Sequence, residues 1–196
     1  MDIDPAALDR RSAYRLLISC VIPRPIAFVT TLSKQGVTNL APFSFFNGVS
    51  STPPIVSISV GSRKEGRKDT WVNIEETGEF VVNVVVPELM DGVIIGAKDL
   101  PHNVSELELA KLKTLPSAKV KPPRLADSPI QMECVRYKIV EVEGTALILG
   151  RVAMFHVRDE VFREGRVDPR LMTFVGRLGD ELYCRVTDIF ERKREP

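Results

Sequence analysis

The chain has 196 residues, 44% of them apolar, with 27 basic and 26 acidic side chains for a formal charge of +1. That length sustains one sizeable core and favours a single domain spanning residues 1–196 over two small ones. Near-neutrality removes the global electrostatic reason to bind nucleic acid or anionic lipid, and the longest apolar stretches, residues 80–86 and 146–149, fall far short of the roughly 20 residues that cross a bilayer.

The chain opens Met1-Asp-Ile-Asp-Pro5, with acids where a secretion signal carries bases and an apolar run. A cytoplasmic location is therefore expected, and Asn103-Val104-Ser105 reads as an accidental glycosylation sequon. Cys20, Cys134 and Cys184 are widely separated and in no C-x-x-C spacing, which suits reduced, mostly buried thiols. With His102 and His156 the only histidines, the local ligand pairs of a metal site are missing, and no metal is expected.

In chain order, residues 25–31 and 37–41 read as two strands joined by a turn at Lys34-Gln35-Gly36, whose glycine takes a positive φ. Val56-Ser57-Ile58-Ser59-Val60 alternates strictly, placing the aliphatic side chains on one face of a strand and both serines on the other. Asp69 is the expected cap of a helix running through Trp71, Val72 and Ile74 to a stop at Gly78. Residues 79–86, apolar on both faces apart from Asn83, predict a deep strand. Residues 87–129 form a long excursion within the domain, containing a second helix that Ser105 and Glu108 start as a capping box, and the extended Lys121-Pro-Pro-Arg124. Strands then follow at 131–143, 145–157, 171–175 and 181–187, with Gly144, Gly165 and Gly179 near the turns, and the mixed charges of residues 191–196 form a solvated tail. Antiparallel strands at this spacing favour a closed or nearly closed barrel.

Two segments invite a ligand. Gly61-Ser-Arg-Lys-Glu-Gly66-Arg67-Lys68-Asp69-Thr70 joins a strand to a helix start, where backbone N–H groups, the helix dipole and Arg63, Lys64, Arg67 and Lys68 would favour phosphate. A P-loop would need Lys at Arg67 and Ser or Thr at Lys68, so triphosphatase chemistry is not indicated; the plainer reading is a solvated basic loop. Asn39-Leu-Ala-Pro-Phe-Ser-Phe-Phe-Asn47 combines aromatic faces with polar groups at a strand end, suited to a flat heteroaromatic ring or, more simply, to a core corner plugged by Phe43, Phe45 and Phe46. No nucleophile elbow, zinc-protease helix or dinucleotide turn occurs, and His156 is a strand-end histidine able to meet a ligand or simply half-exposed.

The order of several blocks resembles the flavin reductase-like family, FMN-binding split β-barrels that include flavoredoxins and the reductase components of two-component flavin monooxygenases. These blocks are Val21-Ile-Pro-Arg-Pro-Ile-Ala-Phe-Val-Thr-Thr31, Gly36-Val-Thr-Asn-Leu-Ala-Pro-Phe-Ser-Phe-Phe-Asn47, Pro53-Pro54-Ile-Val-Ser-Ile-Ser-Val60, Lys68-Asp69-Thr70, Gly78-Glu79-Phe80-Val-Val-Asn83 and Arg177-Leu178-Gly179 near Tyr183. The resemblance implies a mainly β, Greek-key split barrel with a few helices, a homodimer, and bound FMN, with FAD in some relatives. It implies that Thr30, Thr31, Asn39, Leu40, Ala41, Pro42, Phe43, Ser44 and Phe45 line the flavin ring and ribityl chain. Ser59, Val60 and Gly61 would approach from the next strand, Lys68, Asp69 and Thr70 would lie at the phosphate, and His156 and Arg177 would meet the nicotinamide donor. The implied activity is NAD(P)H-dependent flavin reduction, with electrons passing to a partner oxygenase or another acceptor. The alternatives are a flavoredoxin-like carrier with tightly held FMN and a non-catalytic flavin- or small-molecule-binding module. An absent catalytic constellation suits such a protein, because hydride transfer belongs to the cofactors.

Overall fold

The computed structural model describes residues 1–63, 66–102 and 104–193; Lys64 of the basic loop, Asn103 of the sequon and residues 194–196 of the tail lie outside the described residues. Helix α1 (Arg10–Cys20) precedes strands β1 (Ala27–Leu32), β2 (Thr38–Phe43), β3 (Phe46–Ser51) and β4 (Pro54–Arg63). Helix α2 (Asp69–Thr77), strand β5 (Glu79–Val84) and helices α3 (Met90–Gly96) and α4 (Glu106–Leu109) lead to the long hairpin of β6 (Ile130–Val142) and β7 (Thr145–Val157). Strands β8 (Phe174–Arg177) and β9 (Tyr183–Val186) follow, β8 also pairing with the short Arg24–Pro25 strand.

The main sheet runs β2-β1-β5-β6-β7-β4-β3, with antiparallel neighbours throughout. It curls so that Ala27, Val29, Ile58, Phe80, Val82 and Ile148 share one interior, which Trp71 and Ile74 of α2 join. Alternate residues face outward into a second core, where Phe28 and Leu40 meet Leu89, Val93, Leu107 and Leu125 under α3, α4 and the excursion. Gly150 makes the interior possible, because a methyl on it would overlap the Phe80 ring. Asn83 breaks the apolar run of β5 for a reason: it donates to Phe28 O (2.9 Å) and accepts from Leu125 N–H (2.8 Å), pinning the excursion to the sheet.

The barrel is split. Strands β2 and β3 are the two ends of the sheet, joined at the Ser44-Phe45 bend, and across this seam Ser59 N–H donates to Phe45 O (2.9 Å). One edge of β2 therefore stays unpaired by any strand among the described residues, and the site builds on it.

The predicted hairpin, the alternating strand and the helix stop hold, with Gly36 at φ 85° and Gly78 at φ 75°. Several details differ. Asp69 is the first residue of α2, with Lys68 at the cap position, because the Asp69 carboxylate is drawn to Arg63 and His102. The expected capping box does not form: Ser105 Oγ is buried without a partner among the described residues, and the first acid of α4, Glu106, turns inward instead. The last strands start later than expected, since Pro169–Leu171 forms a 3-10 turn capped by Asp168. Helices α1 and α3 join the two expected ones. Helix α3 contains Gly92 and Gly96, poor helix formers, yet a Cβ on Gly96 would sit 2.9 Å from Leu40 O, so the glycine is what lets α3 lie against β2.

Candidate functional site

The unpaired edge of β2 is covered by polar groups. Asn39, Ala41 and Pro42 from β2, Arg63 from β4, Lys68, Asp69 and Thr70 from the start of α2, and Glu106 from α4 line a cavity of about 100 Å3 closed by the end of α3. It meets a second cavity, of about 270 Å3, at Pro42 and Ala97, and a third, of about 310 Å3, at Asn39 and Asp69. These shared walls place the three side by side as a trench region along the β2 edge and past the start of α2.

Buried amides and hydroxyls hold that geometry. Asn39 Nδ2–H donates to Thr70 Oγ1 (2.9 Å) and Thr31 Oγ1 (3.3 Å), and Asn73 Nδ2–H donates to Thr31 Oγ1 (3.0 Å). The network ties β1, β2 and α2 together, so the first turn of α2 is fixed against the strand edge. No group among the described residues accepts the N–H of Asp69 or Thr70, and Lys68 makes no ion pair among them. Helix-start donors and an ammonium without an ion pair among the described residues are groups that would suit an anion.

The two other described bases of the basic loop, Arg63 and Arg67, are spoken for. Arg63 donates to Leu100 O (3.0 Å) and to Asp69 (3.0 Å) and touches His102, so it offsets Asp69, one of the three acids in the cavity wall with Asp99 and Glu106. Arg67 turns away, donating to Glu75 (2.7 Å) and Glu141 (2.8 Å) while lying over the Trp71 ring. The expected seat thus narrows to Lys68, the α2 N–H groups and a neutralised Arg63. Glu106, almost fully buried, accepts from Leu40 N–H (3.1 Å); burial pushes its pKa above the ordinary carboxylate value.

The other expected residues fall in different places. Thr30 is fully buried and donates to Pro123 O (2.5 Å), and Leu40 is sealed in the second core, so neither side chain reaches the trench. Val60 and Phe43 belong to the barrel interior. Ser59 and Gly61 are half-buried on β4, Ser44 lines the 270 Å3 cavity, and Phe45 lies exposed under Arg24, 5.9 Å from guanidinium carbon to ring centre. Phe45 is therefore no core plug.

Arg177 lines the 270 Å3 cavity, but His156 does not join it. Pairing runs Pro42, Phe28, Asn83, Gln131, His156 across the sheet, which puts His156 four strand spacings from Pro42, about 19 Å along the curved sheet. Within one chain the two expected donor contacts are separate. His156 instead meets the fully buried Glu133 (2.5 Å), whose carboxylate also accepts from the N–H groups of Ala118 (2.7 Å), Lys119 (2.5 Å) and Val120 (3.2 Å). Burial pushes the Glu133 pKa up, but those N–H bonds and His156 outweigh it and hold it below the ordinary value.

Sequence reasoning left out Arg24 and Glu106 as site groups. The available signal was a charged side chain placed where its neighbours are apolar: Arg24 between two prolines, and Glu106 beside Leu107. Among the described residues no cluster suited to a metal ion occurs, and no helix is long and apolar enough to cross a membrane.

The curled, seamed sheet with a polar trench at the split is the architecture of split-barrel flavin proteins. The chain belongs to the family of the flavin reductase like domain, whose model matches residues 18–179. It is 36% identical to nitrilotriacetate monooxygenase component B from Bacillus cereus, with a TM-score of 0.93 over 98% of each chain. It is 33% identical to the 2-nitrobenzoate 2-nitroreductase NbaA of Pseudomonas fluorescens, with a TM-score of 0.91 over 100% of this chain and 96% of that one. A flavoredoxin of Desulfovibrio vulgaris shares the fold at 18% identity and a TM-score of 0.77, covering 88% of this chain and 91% of the other. Among sequence relatives, an uncharacterised protein of Halalkalibacterium halodurans is 41% identical over 99% of this chain and 96% of its own length.

Proposed function

We propose that this protein is an NAD(P)H-dependent flavin reductase that binds FMN along the β2 edge. The observation that carries the reading is the anion seat of Lys68 and the free first-turn N–H groups of α2, placed at one end of a trench on an unpaired strand edge. When bound, FMN supplies the hydride-accepting and electron-releasing chemistry. The chain's residues bind and orient. Lys68 and the α2 donors would hold the phosphate, and Arg63 cancels the Asp69 charge that would otherwise repel it. Asn39, Ala41 and Pro42 would border the ring system, with Ser44, Phe45 and Ser59 at its far end. Glu106 occupies the Leu40 N–H at the strand edge.

Electrons would pass to a partner oxygenase, as the component B relative's name suggests for that protein, or to a small organic acceptor within the chain. The second route is favoured by the 270 Å3 cavity that shares Pro42 and Ala97 with the seat. A homodimer is part of this reading, supported by exposed Val49, Tyr137 and Phe155 on strands of the same sheet. The test is a spectrum of the purified protein, a titration with FMN and riboflavin, and anaerobic addition of NADH and NADPH. The reading expects saturable FMN binding, thermal stabilisation by FMN beyond that by riboflavin, and bleaching of the flavin by at least one donor. Absence of flavin binding would falsify it.

A further inference from the structure

Leu171, Met172 and Thr173, the link from the last 3-10 turn to β8, are shared by two grooves of about 410 Å3 each. The first is the bed of the chain's own C-terminal segment. Phe174 pairs with Val186 in an antiparallel register, so the residues after Val186 run back beside this link, and Thr187 and Ile189 line the groove with it. The second groove has Val86, Pro87, Pro129 and Val161 as its apolar lining. The two have no other lining residue in common, so the three-residue link separates the tail's own bed from the second groove.

The second groove is acidic at its rim. Glu88, Asp127 and Glu160 border it, against the single base Arg158, which pairs with Glu160 (3.6 Å) and donates to Ala126 O (2.8 Å). Glu88 and Asp127 meet no base within 4.0 Å among the described residues. An apolar floor with an acidic rim fits a segment that leads with an apolar side chain and follows it with bases.

The tail of this chain has that order. Phe190 is 84% exposed, and Glu191, Arg192 and Lys193 follow it, the two bases making no ion pair among the described residues. Its own chain gives the Phe190 ring almost no cover, and burying that ring is the largest apolar gain open to the tail. To reach the second groove of the same chain, the tail would have to leave the bed that Ile189 lines and cross over the link. A second copy meets no such obstacle. The groove's Arg158 and Val161 also lie just past β7, whose exposed Phe155 belongs to the homodimer surface proposed above.

We infer that the C-terminal segment Ile189–Lys193 of each chain docks in the second groove of another copy, Phe190 on the apolar floor and Arg192 and Lys193 against Glu88 and Asp127. The exchange is reciprocal, each copy giving a tail and receiving one, as two-fold symmetry requires. The second copy rests on the homodimer reading; the groove, the tail and their opposite charges do not.

The test treats the purified full-length chain with a zero-length carbodiimide, which joins an amine to a carboxylate in contact with it. One-chain and two-chain products are separated and mapped by peptide mass, and light scattering gives the mass of the untreated protein. Lys193 should be linked to Glu88 or Asp127 in the two-chain product and not in the one-chain product. Phe190→Asp should lower the yield of that link about tenfold, the order expected when a buried aromatic side chain is lost from a contact, with its cooperative unfolding transition kept. Phe190→Leu, which keeps apolar bulk, should hold the yield within about twofold. The link in the one-chain product, or an unchanged yield in Phe190→Asp, would overturn the exchange. A dimeric mass without the link would overturn the tail contact and leave the homodimer standing, whereas a one-chain mass at every concentration would remove both.

Discussion

Two buried carboxylates, Glu133 on the sheet and Glu106 on α4 beside it, are driven in opposite directions by their surroundings. Glu133 gathers three backbone N–H groups and His156, and its pKa lies below the ordinary 4.5, so its ionised form stabilises the fold above that value and the contribution is lost as pH falls through the lower folded value. Glu106 has one N–H donor for its burial, and its raised pKa makes the protonated form the favoured one: stability is complete below 4.5 and is lost as pH rises through the folded value. The stability deficit of Glu133→Gln should therefore shrink as pH is lowered below 4.5, while any gain from Glu106→Gln should grow from pH 4.5 toward neutrality; thermal unfolding of both variants across pH measures this. Glu133→Ala leaves several buried donors unsatisfied and should cost roughly 3–5 kcal/mol. At the seat, Lys68→Ala should weaken FMN about tenfold and riboflavin hardly at all, since one charge-assisted contact to phosphate is lost. Isothermal titration with both ligands checks it.

Among the elements, α3 and α4 are the supports that shape the site. Helix α3 lies against β2 because Gly96 has no Cβ to meet Leu40 O and the Phe28 ring, and its end closes the cavity over Asn39 and Ala41. Gly96→Ala should cost about 1–3 kcal/mol by overpacking and also weaken FMN, as α3 is pushed from the strand edge. Denaturant unfolding alongside FMN titration reads both effects, and loss of stability with unchanged FMN affinity would detach α3 from the site. The barrel strands were legible from the chain because alternation and turn glycines are local signals: Val56, Ile58 and Val60 point inward as their spacing requires. Helix α3 was not, because its glycines serve packing against residues distant in the chain, Gly92 against Leu112 and Gly96 against Leu40 and Phe28, and contradict local propensity. Helix α1 was missed although Tyr14, Leu17 and Ile18 recur at helical spacing; of these only Ile18 is buried.

For the whole molecule, a net charge of +1 is the sum of separate local fields. The trench has Lys68 unpaired at one end and Arg24 with Arg177 at the other, while Arg63, Arg67 and Arg15 are cancelled by acids. Of the described bases of the loop, Arg63, Arg67 and Lys68, only Lys68 is without an ion pair among the described residues. The proposed homodimer predicts a solution mass twice the chain's 21.9 kDa by light scattering, and Tyr137→Asp or Phe155→Asp should shift it toward the monomer if those exposed side chains lie at the interface. A monomer at all concentrations would remove the dimer from the reading.

The order of residues is enough to establish the strands, the hairpin, the helix stop at Gly78, the family blocks and the neighbourhood of the β2 edge, since each depends on residues close together in the chain. Which charges remain free is a matter of folding. Arg67 is silenced by Glu141, 74 positions away; Arg63 is held by Asp69 and by Leu100 O; His156 is claimed by Glu133; and Arg24 meets three carbonyls but no acid. Charge cancellation acts over a few ångströms of space whatever the separation along the chain, so it becomes visible only once the sheet has curled and brought those partners together.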